Sequence, residues 1–201
     1  MKKIISILVI LCTALLTVHA ERVIVGAEQT KQYLPLLKNK RVALLSNHTG
    51  IIIQTKSERR EAKNDTIHTL DWLLQHGVEV TAIFSPEHGF RGTAREGELV
   101  ASSVDEKTGI PILSLYDGKS KRPSKEAMQT FDVLITDIQD VGLRFYTYYV
   151  TMYRLMDVCA QEGKQFIVFD RPNPNGYYVD GPILDMKHKS GVGALPIPVV
   201  H

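Results

Sequence analysis

Five short apolar runs, each stopped by a polar cluster, constrain this chain more than any other feature. Val42–Ser46 runs into Asn47-His48-Thr49-Gly50, and Val78–Phe84 into Pro86-Glu87-His88-Gly89. Ile112–Leu115 meets Tyr116-Asp117-Gly118, and Val133–Thr136 meets Asp137-Ile138-Gln139-Asp140. Gln165–Phe169 ends at Asp170-Arg171-Pro172-Asn173-Pro174. Helical spacing fills the gaps between them. A helix is predicted from about Glu28 to Leu37. A second carries Ile67, Leu70, Leu73 and Leu74 on one side and is closed by Gly77. A third carries Tyr149, Met152, Tyr153, Met156, Cys159 and Ala160 and ends at Gly163. Alternation of this kind predicts an α/β fold, an open, mostly parallel sheet with helices on both faces. Ligands of such sheets lie at the carboxyl ends of the strands, where all five polar clusters fall.

Both ends of the chain carry their own expectations. Lys2 and Lys3, the apolar stretch Ile4–Leu16 and the small-residue site Val18-His19-Ala20 read as an export signal over residues 1–20, with the mature protein beginning near Glu21. The apolar stretch is too short to span a bilayer, and Cys12 lacks the small neighbours of a lipoprotein cleavage site. The expected location is therefore periplasmic or extracellular, without stable membrane insertion. Removing the signal takes two of the 24 Lys and Arg and none of the 22 Asp and Glu, so the remainder balances at 22 against 22. A neutral chain without a basic stripe offers nothing to nucleic acid. Cys159 is the single thiol left, which excludes an internal disulfide, and it reads as helix core. Residues 21–185 form the expected catalytic domain. The apolar, Pro-punctuated Leu195–His201 reads as interior chain, so residues 186–201 are taken as the start of a connection to a further domain.

Glu87 is the candidate general acid, with His88 orienting it or touching substrate. Asp137, Gln139, Asp140 and Arg144 are of types that bond sugar hydroxyls, amides and carboxylates, and Tyr146 can supply a platform for a sugar face. Tyr149 and Tyr153 are assigned to core. Two prolines stiffen the loop that presents Arg171 and Asn173; Arg171 is either a carboxylate receptor or the salt-bridge partner of Asp170 or Asp137. Cofactor motifs are absent: no G-x-G-x-x-G follows the first strand, and there is no P-loop or G-x-S-x-G elbow. His48, His88 and His201 with Asp137 contain no pair at standard zinc spacing, so neither metal nor cofactor is expected.

Ser85–Gly92, Asp137–Tyr148 and Asp170–Pro174, with Asn47–Gly50 and Pro196–His201, resemble motifs of the NamZ-type exo-β-N-acetylmuramidases over nearly all of the mature chain. The resemblance implies a Rossmann-like domain with Glu87 as its catalytic acid, and a second, β-rich domain that this sequence does not reach. It also implies a glycosidase that releases non-reducing-terminal N-acetylmuramic acid from peptidoglycan fragments (MurNAc-GlcNAc), acting from the chain end. In that frame Asp137 or Asp140 is a base or nucleophile, or an Asp orients the substrate's own acetamido group. Arg144 or Arg171 holds the lactyl carboxylate; Asn47, His88 and Gln139 serve sugar hydroxyls; Asn173 and His201 join the substrate-binding set. The alternative is a non-catalytic module binding cell-envelope sugars, and a metal-dependent hydrolase is a third reading.

Overall fold

A computed structural model describes residues 23–54, 65–91, 101–116, 118 and 121–199. The expected sheet is present. Its strands are β1 (Arg41–Ser46), β4 (Glu79–Ser85), β5 (Ser103–Val104), β6 (Pro111–Ser114), β7 (Val133–Asp137) and β8 (Gln165–Val168), in the order β5-β6-β4-β1-β7-β8. All neighbours are parallel except the β5–β6 pair at one edge. The helices are α1 (Thr30–Leu37), α2 (Thr69–Gln75), α3 (Lys125–Met128) and α4 (Tyr148–Gln161). No helix among the described residues is long and apolar enough to cross a membrane.

The apolar runs are nearly continuous because both faces of the sheet are covered. Side chains alternate along β1, so Val42 and Leu44 pack with Tyr33 and Leu37 of α1 and Leu70 and Leu73 of α2. Ala43 and Leu45 enter the opposite layer with Leu155, Val158 and Cys159 of α4. Cys159 is fully buried, and burial pushes its thiol up to about 11, in keeping with a core role.

Two predicted helix boundaries shift. The first helix starts at Thr30, after a 3-10 turn at Gly26–Glu28. Ile67 is not helical: it lies in β3 (Asp65–His68), which pairs antiparallel with β2 (Ile51–Gln54). His68 then caps α2, its Nδ1 accepting the Leu70 N–H at 3.1 Å while Nε2 lies 2.9 Å from the Asn47 carbonyl oxygen. That pairing fixes a neutral ring with its proton on Nε2.

The chain climbs from β1 outward to β4 and β6, then returns to lay β7 on the other flank of β1. The crevice between the ends of β1 and β7 is thus the point where strand order reverses. Residues 47–50 and 137–140 face each other across it, and Glu87 sits one strand away, past the end of β4.

Candidate active site

β4 stops at Ser85 because Pro86 has no N–H to continue the ladder. The chain then turns tightly, the Gly89 N–H donating to the Pro86 carbonyl at 3.1 Å. His88, third in this turn, has φ 70°, and Gly89 follows at 77°. Left-handed backbone comes freely to Gly but strains a histidine, and such strain concentrates at functional sites. The turn is latched from behind. Arg91 Nη2 donates to Asp105 Oδ1 at 2.6 Å, and its guanidinium lies 4.6 Å from the centroid of the buried Phe90 ring.

In front of the turn lies a cleft of about 510 Å³ lined by His48, Thr49, Glu87, His88, Gln139, Val141, Phe145, Tyr146, Thr147 and Tyr148. Among the described residues of that lining Glu87 is the only one with a carboxyl group, and Thr147 Oγ1 donates to its Oε2 at 3.2 Å. Gln139 Nε2 is bound to the Asp140 and Pro172 carbonyls at 2.7 and 2.9 Å, which leaves the amide oxygen as the acceptor it can offer a ligand. Phe145 is 70% exposed and Tyr146 45%, so the cleft presents open aromatic surface beside its polar groups. Burial pushes the Tyr148 phenol up, keeping it a neutral hydrogen-bonding group.

The other expected site residues lie off this wall. Asp137 is fully buried: Arg171 grips it through Nε to Oδ1 at 2.5 Å and Nη2 to Oδ2 at 3.0 Å, and Thr69 Oγ1 donates to Oδ2. Arg171 is thus the salt-bridge partner of Asp137, and its Nη2 also donates to the Ile51 carbonyl at 2.9 Å. Asn47 is fully buried, its Oδ1 accepting from the N–H and hydroxyl of Thr49 in a local turn rather than facing the cleft. Asp140 and Asn173 line a separate pocket of about 180 Å³, which meets the cleft only at Tyr148. Asp140 Oδ1 accepts the Gly142 N–H at 2.8 Å, and burial raises its carboxyl. Asn173 packs on Gly142, where any side chain would overlap its amide.

Arg144 is buried beneath residues 182–199 rather than on the cleft wall. Its Nη2 donates to the Pro182 and Val199 carbonyls, each at 3.3 Å, and its Nε and Nη1 have no hydrogen-bond partner among the described residues. His201 lies outside the described residues. The cleft adds Thr147, Tyr148, Thr49 and Phe145 to the expected set. Thr49 was visible in the cluster after β1, and Phe145, Thr147 and Tyr148 in the Asp137–Tyr148 motif, but nothing in the spacing says which side chains face inward. No cluster of three metal-ligating side chains occurs among the described residues.

Comparison with known proteins agrees with this architecture. A crystal structure of a DUF1343 family protein from Bacteroides fragilis superposes with a TM-score of 0.71 at 56% identity, over 90% of this chain and 44% of that one. A second from the same species gives 0.72 at 36% identity, over 88% and 42%. The peptidoglycan β-N-acetylmuramidase NamZ of Bacillus subtilis (strain 168) is 44% identical over 171 residues, which is 84% of this chain and 38% of that protein. The chain thus spans less than half the length of these relatives. The family profile described as exo-β-N-acetylmuramidase NamZ, N-terminal, matches residues 42–201, and the chain belongs to that family.

Proposed function

We propose that this chain is the acid-bearing part of an exo-acting glycosidase that releases N-acetylmuramic acid from the non-reducing end of peptidoglycan fragments, with Glu87 as proton donor. One observation carries the reading: among the described residues a single carboxyl group, on a strained turn at a strand end, faces a cleft whose other polar groups are His48, Thr49, His88, Gln139, Tyr146, Thr147 and Tyr148. The NamZ relative's activity supports the choice of substrate, and the amino-terminal export pattern suits a substrate found outside the cytoplasm.

Asp137 and Asp140 fit a second catalytic role poorly, since neither lines the cleft with Glu87. Substrate assistance by the 2-acetamido group is the mechanism that requires no second carboxyl nucleophile here. Of the two arginines considered as lactyl-carboxylate receptors, Arg171 is committed to Asp137 through Nε and Nη2, and Arg144, with two nitrogens unpartnered among the described residues, lies off the wall of this cleft.

The test is turnover of a MurNAc-GlcNAc disaccharide, whose sugar leaving group needs protonation, by the full-length protein and by Glu87→Gln. A loss of roughly 100-fold or more is expected. Activity retained within a few fold would remove Glu87 from the acid role. Tight muramyl-sugar binding without turnover by the unmodified protein would favour a binding module. Equal turnover of the matching glucosaminide would argue against recognition of the lactyl carboxylate.

A further inference from the structure

Thr147 stands at the N-cap of α4, where a threonine hydroxyl ordinarily accepts a backbone N–H of the first turn. It makes no such cap bond; instead Oγ1 donates to Glu87 Oε2 at 3.2 Å, joining residues 60 positions apart. The helix begins without that help: the Val150 and Thr151 N–H groups both reach the Thr147 carbonyl at 3.1 Å. A local capping rule is broken, and the group released by breaking it meets the Glu87 carboxyl. Departures of this kind mark functional positions.

We propose that Thr147 is the positioning residue for Glu87, an inference that rests on the acid role given above. A hydroxyl donating to Oε2 makes Oε2 the accepting oxygen, so in the protonated acid the proton resides on Oε1. Two constraints then hold the carboxyl. The left-handed His88 fixes the backbone that carries it, and Thr147 fixes its rotation. In the reaction the proton passes from Oε1 to the glycosidic oxygen as the C–O bond breaks with its electron pair on that oxygen. The resulting carboxylate keeps Thr147 as donor to Oε2. The water that adds to the anomeric carbon supplies the proton that restores the acid.

Thr147→Val removes the hydroxyl at nearly constant shape, and Thr147→Ser keeps it. Both are compared in the full-length protein on two muramides, one with a sugar leaving group and one with dinitrophenol, whose departure needs little protonation. For Thr147→Val, kcat on the sugar leaving group should fall roughly tenfold or more with KM little changed, as expected for a displaced general acid. On the dinitrophenyl substrate the loss should stay within about threefold, and Thr147→Ser should recover most of the rate. Equal losses on both substrates, or none on the sugar, would overturn the positioning role. The two proposals fail separately: an active Glu87→Gln sinks the acid assignment, whereas an inactive Glu87→Gln beside a normal Thr147→Val sinks only this one.

Discussion

Asp137→Asn separates a structural carboxylate from a catalytic one. Asp137 is fully buried and its two oxygens accept from Arg171 and Thr69, while Arg171 has a side-chain exposure of 7%. An amide here places an N–H₂ against the Arg171 guanidinium, which can only donate, and it leaves that buried cation without a counter-charge. Breaking a buried ion pair by removing one partner costs about 3–5 kcal/mol. For a chain of this size that corresponds to a melting temperature lower by roughly 6–20 °C. Urea unfolding followed by the fluorescence of Trp72 reads the node directly, since Trp72 lies in α2, whose first residue is Thr69. Replacing the pair together, as Asp137→Leu with Arg171→Met, should cost less than the sum of the single changes, because neither charge is then stranded. A variant Asp137→Asn that unfolds at the same urea concentration yet loses turnover a thousandfold would refute the structural assignment and return Asp137 to the chemistry.

Two further outcomes follow from local geometry. His68 must be neutral to accept the Leu70 N–H, and burial, partly opposed by the Asn47 carbonyl, lowers its pKa below the ordinary 6.5. The unfolded chain therefore takes up the proton first, and stability should fall as pH drops below about 6.5. His68→Asn keeps a capping oxygen that does not titrate, so the slope between pH 7 and 5 should shrink; an unchanged slope would clear His68. At His88, with φ 70°, Ala and Gly substitutions both delete the ring, so their difference isolates the backbone. Left-handed conformation costs an L-residue about 1–2 kcal/mol, and Gly gives back about 0.4–1 through its freer unfolded state. His88→Gly should thus be about 0.5–1 kcal/mol more stable than His88→Ala by denaturant midpoint. An alanine variant equal to or above the glycine one would show that the turn stores no strain.

The strands β1, β4 and β7 were most legible because the middle of the sheet is covered on both faces and so appears as nearly unbroken apolar runs. The β2–β3 hairpin was not. Ile67, Leu70 and Leu74 keep helical spacing across a real boundary at His68, and no Asn-Gly or Asp-Gly turn signals the pairing. Within the site, sequence placed each polar cluster at the correct edge of the sheet but could not say which clusters are spent on one another. Arg171 and Asp137 are 34 residues apart, and only the side-by-side arrangement of β7 and β8 lets them meet. Thr147 was hidden for the opposite reason: at a helix start its type already has an ordinary explanation.

Those internal pairings also bear on where Glu87 sits. In a sheet of this topology the usual ligand site is the crevice where strand order reverses, here between β1 and β7. That crevice is occupied by the protein itself. Ser46 Oγ donates to the Asp137 carbonyl at 2.8 Å, and the Gln139 N–H donates to Thr49 Oγ1 at 3.0 Å. Gly50 lies so close to Ser46 that a side chain would overlap the Ser46 hydroxyl. With the two loops bonded to each other, no glycine-rich cradle for a phosphate remains; what remains is a stiff floor. The adjacent strand, β4, ends at Ser85, and the turn after it carries Glu87 to the cleft that Gln139 and Val141 also line, where a carboxyl can meet a ligand resting on the floor. Loosening the floor should therefore weaken ligand binding without touching Glu87. Thr49→Val, which removes the acceptor for the Gln139 N–H, should raise KM more than it lowers kcat, since it disturbs where the ligand rests rather than the acid that acts on it. A pure kcat loss would place Thr49 in the proton-transfer step and overturn the division between floor and acid.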